Sequence, residues 1–396
     1  MDPVLKGIRI VDMSRFVSGP GASMLLADFG AEVIRVERSE GEEDRYVGLQ
    51  TDFGDSFIFM NSARNKKAIT LNYLDNKRAR EILLDLLKRS DVLLHNFSPG
   101  AVKQIGISYD EIASINPEII YVEVTAFGSE GPYAERLGFD MMGQAMSGAM
   151  ALTGFEDTPP LKSITFVDYG TSFLAALGIM LALYHRRATG KGQKIECNLL
   201  QTAILMNSTP ISEYEATGTK RVRMGNRAHY CGPADLYKTK DGKWFYIAPV
   251  TKGLFKRWCK LMDRMDLYNR PDLVTENDRF IHRGELDPIN QEWIKRKTAD
   301  EAKAEFERAR LPYSLVYDTD EVANDPQARL NEAMINVDFG KHGIFKLCGF
   351  PIKLSNTPAK LKSPPPRVGE HNEDVFGKIL GYSDEALRKL RDEGVL

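Results

Sequence analysis

The N-terminal third of the chain alternates short apolar strands with amphipathic helices, and this rhythm limits the fold more than any other feature. Ile8-Arg9-Ile10-Val11-Asp12 reads as a strand, and Gly19-Pro20-Gly21 leads into a short helix through Met24 and Leu26 that stops at Gly30. Val33 to Glu37 reads as a second strand, and Leu74 to Arg89 as a helix with Ala79, Ile82, Leu83, Leu86 and Leu87 on one face. Asp91 to His95 and Ile119 to Val124 read as further strands, with a helix opening at Tyr109 between them. Strand–helix–strand units of this kind build a parallel sheet covered by helices on both faces.

Past about residue 220 the texture changes. Asp235 to Ile247 reads as a hairpin turning at Asp241-Gly242, and charged helices follow around Leu254 to Arg264 and Ala299 to Arg310. We expect a large α/β domain over 1–200, a linker over 201–225, a smaller α+β domain over 226–325, and a segment over 326–396 that rejoins the large domain. Pro364-Pro365-Pro366 stiffens that last segment, and a helix from Asp384 to Glu393 ends it.

Composition excludes several classes. The chain has 396 residues, 43% hydrophobic and 27% charged, with a net charge near −2, so no basic footprint for nucleic acid exists. Its four cysteines, Cys197, Cys231, Cys259 and Cys348, form no CxxC and read as isolated thiols of a reducing compartment. The six histidines show no ligand spacing, so no metal is expected. The N-terminus lacks a signal-peptide pattern, and the most apolar stretch, Phe173 to Tyr184, reads as too short to span a bilayer. The expectation is a cytoplasmic enzyme without membrane or nucleic-acid partners.

Two motifs imitate nucleotide sites. Gly19-Pro20-Gly21 followed by Glu37 resembles a dinucleotide fingerprint, but Met24 stands where the third glycine belongs and Pro20 removes a backbone donor. Thr189-Gly190-Lys191-Gly192 lacks the Ser or Thr of a P-loop and reads as a tight turn. No GxSxG elbow occurs.

Asp168 stands out. The run Ser163 to Val167 reads as a strand that ends in this acid, and an apolar helix follows from Ser172 to His185. A carboxylate at a helix N-terminus is either a simple N-cap or a reactive group, and both readings stay open on pattern alone. Gly170, Thr171 and Ser172 are small enough to let backbone approach a ligand.

Taken in order, several segments resemble the family III CoA-transferases, the group containing formyl-CoA:oxalate and carnitine CoA-transferases. They include Leu5 to Asp12, Ser18-Gly19-Pro20, Leu26 to Glu37, Asn65-Lys66-Lys67, Asn96 to Gly100 and Phe127 to Pro132. Gly138-Phe139-Asp140, Gln144 to Gly148, Thr189 to Gln193 and Pro365 to His371 complete the series. The resemblance implies a Rossmann-like parallel sheet in the large domain, the smaller α+β domain, and an interlocked dimer, with a heteromer as the open alternative. CoA enters as part of the substrate, and no cofactor is bound permanently.

By resemblance, Asp168 is the covalent nucleophile, alternating between a mixed anhydride and an aspartyl-CoA thioester. Amides after Asp168 would serve as oxyanion donors. Asp140 matches an acidic position near the active site, where it would orient Asp168, raise its pKa, or merely cap a helix. Arg38 matches a CoA-phosphate contact, and Lys66 and Lys67 are either further phosphate partners or a solvated turn. Arg15, Phe16 and Val17 occupy the acyl-pocket loop, while Asn96, Phe97 and Gln104 fall on the CoA side.

The chain also departs from the pattern. Val17 stands for a glutamine, Gln104 and Leu137 replace an arginine and a lysine that contact CoA, and 226–233 holds a single glycine, Gly232. With Phe16, Phe139, Met141 and Met142 nearby, a larger apolar acyl group is expected. Two rival readings remain. A 2-methylacyl-CoA racemase of the same fold would carry an acid/base histidine where Phe139 stands. A non-catalytic CoA-binding subunit would bind CoA without forming an aspartyl thioester.

Overall fold

The computed structural model describes residues 2–396. Six parallel strands form the main sheet: β1 (Arg9–Asp12), β2 (Glu32–Glu37), β3 (Lys66–Thr70), β4 (Val92–His95), β5 (Ile120–Thr125) and β6 (Gln193–Asn198). Their spatial order is β3-β2-β1-β4-β5-β6, so the connections reverse direction between β1 and β4. In such a sheet the crevice at the carboxyl ends of the two strands flanking the reversal is where ligands bind.

Helices of this unit include α1 (Ser18–Asp28), α2 (Lys77–Leu87), α3 (Asp140–Met146), α4 (Phe166–Thr189), α5 (Leu199–Met206) and α6 (Ser208–Thr217). One apolar layer packs α2 against β1, β2 and β4 through Ile82, Leu83 and Leu86 with Val11, Ile34 and Leu93. The opposite layer packs α1 and α4 through Ala22, Leu26, Ala175 and Ile179 with Ile10, Val92 and Val122. Both faces of the sheet are therefore dry, as a parallel sheet requires. α1 and α4 lie close because Gly21 carries no side chain: a Cβ there would stand 2.6 Å from Ser172 Oγ. In the glycine pair that imitates a dinucleotide fingerprint, Gly21 serves helix packing and Gly19 makes room for Ser14, whose Cβ would lie 2.3 Å from a Cβ there.

A second compact unit comprises 150–161 and 219–328. It contains the hairpin β7 (Asp235–Lys238) and β8 (Trp244–Ile247), joined by β9 (Tyr313–Leu315), with helices α7 (Lys252–Leu261), α8 (Arg283–Ile294) and α9 (Ala299–Ala309). Trp258, Phe245, Phe255 and Phe306 fill its own core. Residues 329–396 belong to the first unit, with the hairpin β10 (Met334–Asp338) and β11 (Ile344–Cys348) and the terminal α10 (Asp384–Asp392).

Three expectations are corrected. The run Ser163 to Val167 is not a strand, because Phe166 and Val167 already belong to α4. Residues assigned to a linker form α5 and α6 within the first unit, and 150–161 joins the second. No apolar run marks the edge strand β6, which follows the Thr189-Gly190-Lys191-Gly192 turn. Finally, α4 runs 24 residues, long and apolar enough by length and composition to cross a membrane, although half of its most apolar window is buried in the protein.

Candidate active site

A cavity of about 450 Å³ opens at the reversal point. Arg15 and Phe16 reach it from the loop after β1, Ser18 from the start of α1, and Asn96, Phe97 and Ser98 from the loop after β4. The two loops clamp one another: the Arg15 N–H donates to Asn96 Oδ1 at 2.9 Å, and Asn96 Nδ2 donates to the Arg15 carbonyl at 2.9 Å. An asparagine suits this position because its amide offers a donor and an acceptor together.

Asp168 lines the same cavity from the first turn of α4. Asp140, buried at the start of α3, receives the N–H groups of Val167 at 2.8 Å and Asp168 at 3.0 Å on Oδ2. Its Oδ1 accepts from Gln144 Nε2, which also donates to the Ile164 carbonyl, while Gln144 Oε1 accepts from the Ser163 N–H. Asp140 thus caps the helix that carries Asp168. Burial first, then the charge of Asp140, pushes the Asp168 carboxyl up to about 7.

Phe16 is an outlier. Its φ of 65° lies in the left-handed region, which costs an L-residue of this size on the order of 1–2 kcal/mol. Its N–H donates to Asp44 Oδ2 at 3.1 Å, and Asp44 Oδ1 pairs with Arg35 at 2.6 Å in a fully buried contact. So held, the Phe16 ring meets Phe139 edge-on, centroids 5.5 Å apart, at the wall of the cavity. Nothing in the sequence signalled Asp44, although an acid just beyond a strand ending in Arg35 and Glu37 is the type of residue a buried arginine needs.

Other expected site residues fall in different places. Gln104 lines the cavity. Val17 sits at the N-cap of α1, where its carbonyl accepts from Gly21 N–H and Ser172 Oγ; its neighbours Phe16 and Ser18 face the cavity. Arg15 pairs with Glu42 at 2.8 Å and lies over the Phe97 ring. Arg38 is half-buried among Glu40, Glu42 and Glu43, outside the cavity wall. Lys66 is fully buried, held by Asp12 at 2.9 Å and the Pro20 carbonyl at 2.8 Å, and Lys67 bridges Glu32 and Asp374. Both lysines are bound to carboxylates and neither lines the cavity, and Lys66 is buried rather than part of a solvated turn.

The small residues after Asp168 are also reassigned. A Cβ at Gly170 would lie 2.2 Å from Met206 Cε, and Thr171 Oγ1 bonds Thr202 Oγ1 at 2.8 Å. Ser172 Oγ donates to the Ser18 carbonyl at 2.8 Å. They pack α4 against α5 and α1, and their amides lie inside the helix, so they cannot act as oxyanion donors.

His95, at the end of β4, is buried with Nε2 2.7 Å from the Tyr121 hydroxyl. Burial, helped by Lys194, drops its pKa to about 3, so it stays neutral. No histidine lines the cavity. Among the described residues no cluster of histidine, cysteine and acidic side chains could hold a metal ion.

Residues 5–372 match the family described as CoA-transferase family III. The chain belongs to that family. The family III enzyme is 32% identical over 394 residues to the succinyl-CoA–D-citramalate CoA-transferase of Chloroflexus aurantiacus, covering 99% of this chain and 98% of the relative. It is 34% identical over 410 residues to the formyl-CoA:oxalate CoA-transferase of Streptomyces coelicolor, covering 99% of each. A CAIB/BAIF family protein from Brucella suis shares its fold with a TM-score of 0.84 at 30% identity, covering 96% of this chain and 100% of that one. The enzyme is therefore a CoA-transferase, and acyl-CoA and free carboxylates are the substrates of this family.

Proposed function

We propose that this CoA-transferase moves CoA between carboxylic acids through covalent intermediates on Asp168. The observation that carries the reading is the setting of this carboxyl: at the cavity wall, in a helix first turn, with a pKa near neutrality. The Asp168 carboxylate attacks the carbonyl carbon of the donor thioester, forming a mixed anhydride and expelling CoA thiolate. The thiolate attacks the Asp168 carbonyl carbon, giving the aspartyl-CoA thioester and the free donor acid. An acceptor carboxylate then attacks that thioester, and the thiolate returns to the acceptor acyl carbon. Asp168 is regenerated as a carboxylate, and no net proton or electron is needed.

Asp140 is unsuited to the nucleophile's role, since its oxygens already accept from two helix amides and Gln144. Its part is to fix the turn, and its charge raises the Asp168 pKa, which makes the ionised carboxylate more basic and a stronger nucleophile. Racemisation at carbon would need a second group that exchanges protons near neutrality, and Phe139 cannot do this. The Phe16–Phe139 pair favours an apolar acyl group.

The reading includes a cytoplasmic homodimer. Its four free cysteines suit a reducing compartment. Along α4, Phe173, Leu177, Leu181 and Tyr184 are exposed, an apolar stripe suited to a partner subunit.

The test is intact mass after incubation with a panel of acyl-CoAs, followed by hydroxylamine or borohydride trapping. A CoA-sized adduct or hydroxamate at Asp168, absent from Asp168→Ala, is expected. Acyl-CoA binding without adduct, together with solvent deuterium entering the alpha carbon, would overturn the reading in favour of racemisation. Native mass of the same sample reports whether two identical chains associate.

A further inference from the structure

We propose that Asp44 is a positioning residue for acyl selectivity: through the backbone N–H of Phe16 it holds the aromatic wall of the cavity in place. The inference rests on the reading that this wall meets the acyl group. It assigns the setting of that wall to a residue the substrate does not touch.

Asp44 is fully buried in the short turn Glu43–Arg45 and does not itself line the cavity. Its two carboxylate oxygens have different tasks. Oδ1 pairs with Arg35 at 2.6 Å, and Oδ2 accepts from the Phe16 N–H at 3.1 Å. Arg35 is held in turn by Glu37 at 2.8 Å and reaches the Ser14 carbonyl at 3.4 Å, two residues before Phe16. The Asp44 carbonyl accepts from Ser56 Oγ at 2.6 Å, which pins the turn itself.

Phe16 requires such a partner. A φ of 65° is unfavourable for a residue with a Cβ and persists only where the surroundings over-determine it. On one side Asn96 clamps the Arg15 backbone, and on the other the Val17 carbonyl accepts from Gly21 N–H and Ser172 Oγ. Asp44 fixes the N–H between them. A residue that leaves the left-handed region points its side chain elsewhere, and the ring would then leave its edge-on contact with Phe139.

Asp44→Asn tests this with little change of shape. Asparagine has one oxygen where the carboxylate has two. The buried Arg35 claims that oxygen, and the side-chain amine then faces the Phe16 N–H, donor against donor.

The experiment uses the full-length wild type, Asp44→Asn, Phe16→Gly and the double variant. For hexanoyl-CoA and succinyl-CoA it measures Kd by calorimetry and the rate of hydroxylamine trapping, and compares the hexanoyl-to-succinyl ratio. Phe16→Gly removes ring and strain together, since glycine adopts the left-handed region freely. Each single variant is expected to lower the ratio roughly three- to tenfold, the scale of one aromatic contact. The double variant should fall no further than Phe16→Gly, because Asp44 then has nothing left to position. A folded Asp44→Asn with an unchanged ratio overturns the proposal, as does a double variant whose losses add. Should Asp44→Asn fail to fold by circular dichroism, phenyllactic acid in place of Phe16 removes the N–H alone and leaves the ring and the Asp44–Arg35 pair intact. The same loss then supports the proposal, and an unchanged ratio overturns it. The Kd ratio needs no covalent step, so a protein without an Asp168 adduct still decides the role of Asp44. A wild type that favours succinyl-CoA would fail the apolar-acyl reading alone, and the shift on substitution would still decide the positioning role.

Discussion

The Asp140 carboxylate accepts from the amide of Asp168 at 3.0 Å, so the charge that raises the Asp168 pKa also fixes the turn that bears it. One residue therefore links the rigidity of the site to its reactivity.

Asp140→Asn separates the two effects. Asn keeps a cap but removes the charge, so the acid limb of the kcat/KM–pH profile should move to lower pH, while burial keeps Asp168 above an ordinary aspartate. Asp140→Ala should in addition lose about 1–2 kcal/mol of stability in chemical denaturation. An acid limb that stays put in Asp140→Asn would show that the charge is irrelevant to Asp168.

Asp168 should make the protein less stable as pH rises. Its folded pKa, about 7, exceeds the 3.8 of an ordinary aspartate, so the folded state prefers the neutral acid. The resulting penalty is absent below about pH 4 and grows until the pH passes 7. Asp168→Asn should then raise Tm at pH 8 and leave it nearly unchanged at pH 4, as read by thermal scans at the two pH values. An equal shift at both would mean that Asp168 is not desolvated.

Phe139→Ala should reduce kcat/KM for apolar acyl-CoAs by about tenfold, the scale of one lost aromatic contact. Succinyl-CoA, with its charged end, should lose less. If both donors fall alike, the Phe16–Phe139 pair does not read the acyl group.

Lys66→Met should destabilise the fold by about 3–5 kcal/mol, because Asp12 would be left buried without its counter-charge. Urea denaturation measures this directly. A variant of normal stability with weakened CoA binding would instead return Lys66 to the phosphate site.

Much of the architecture was legible in the sequence because period and length agree: β1, β2, β4 and β5, together with α2 and α10, follow the apolar spacing. β6 was missed because only alternate residues of Gln193–Asn198 face inward, and Lys194 and Glu196 dilute its hydropathy. The strand assigned to Ser163–Val167 failed because β-branched residues preceding a helix also suit its extended approach and first turn. At the site, Asp168, Asn96 and Phe97 could be placed by pattern and resemblance. The partners of Lys66, Lys67, Arg15 and Arg38 could not, since each is met across a long stretch of sequence or a turn whose shape no local pattern sets. The left-handed Phe16 belongs to the same group, its conformation fixed by Asp44 through a pair with Arg35 that only tertiary packing creates.

Much of the cavity wall comes from loops at the ends of sheet strands, whereas Asp168 enters it from α4, a helix seated against α1 through Gly21. Loops and helix thus have separate mountings. A lineage could reshape the strand-end loops to welcome a new acid while the helix bearing Asp168 stays in its socket, and a family with a range of acids is what such independence would allow.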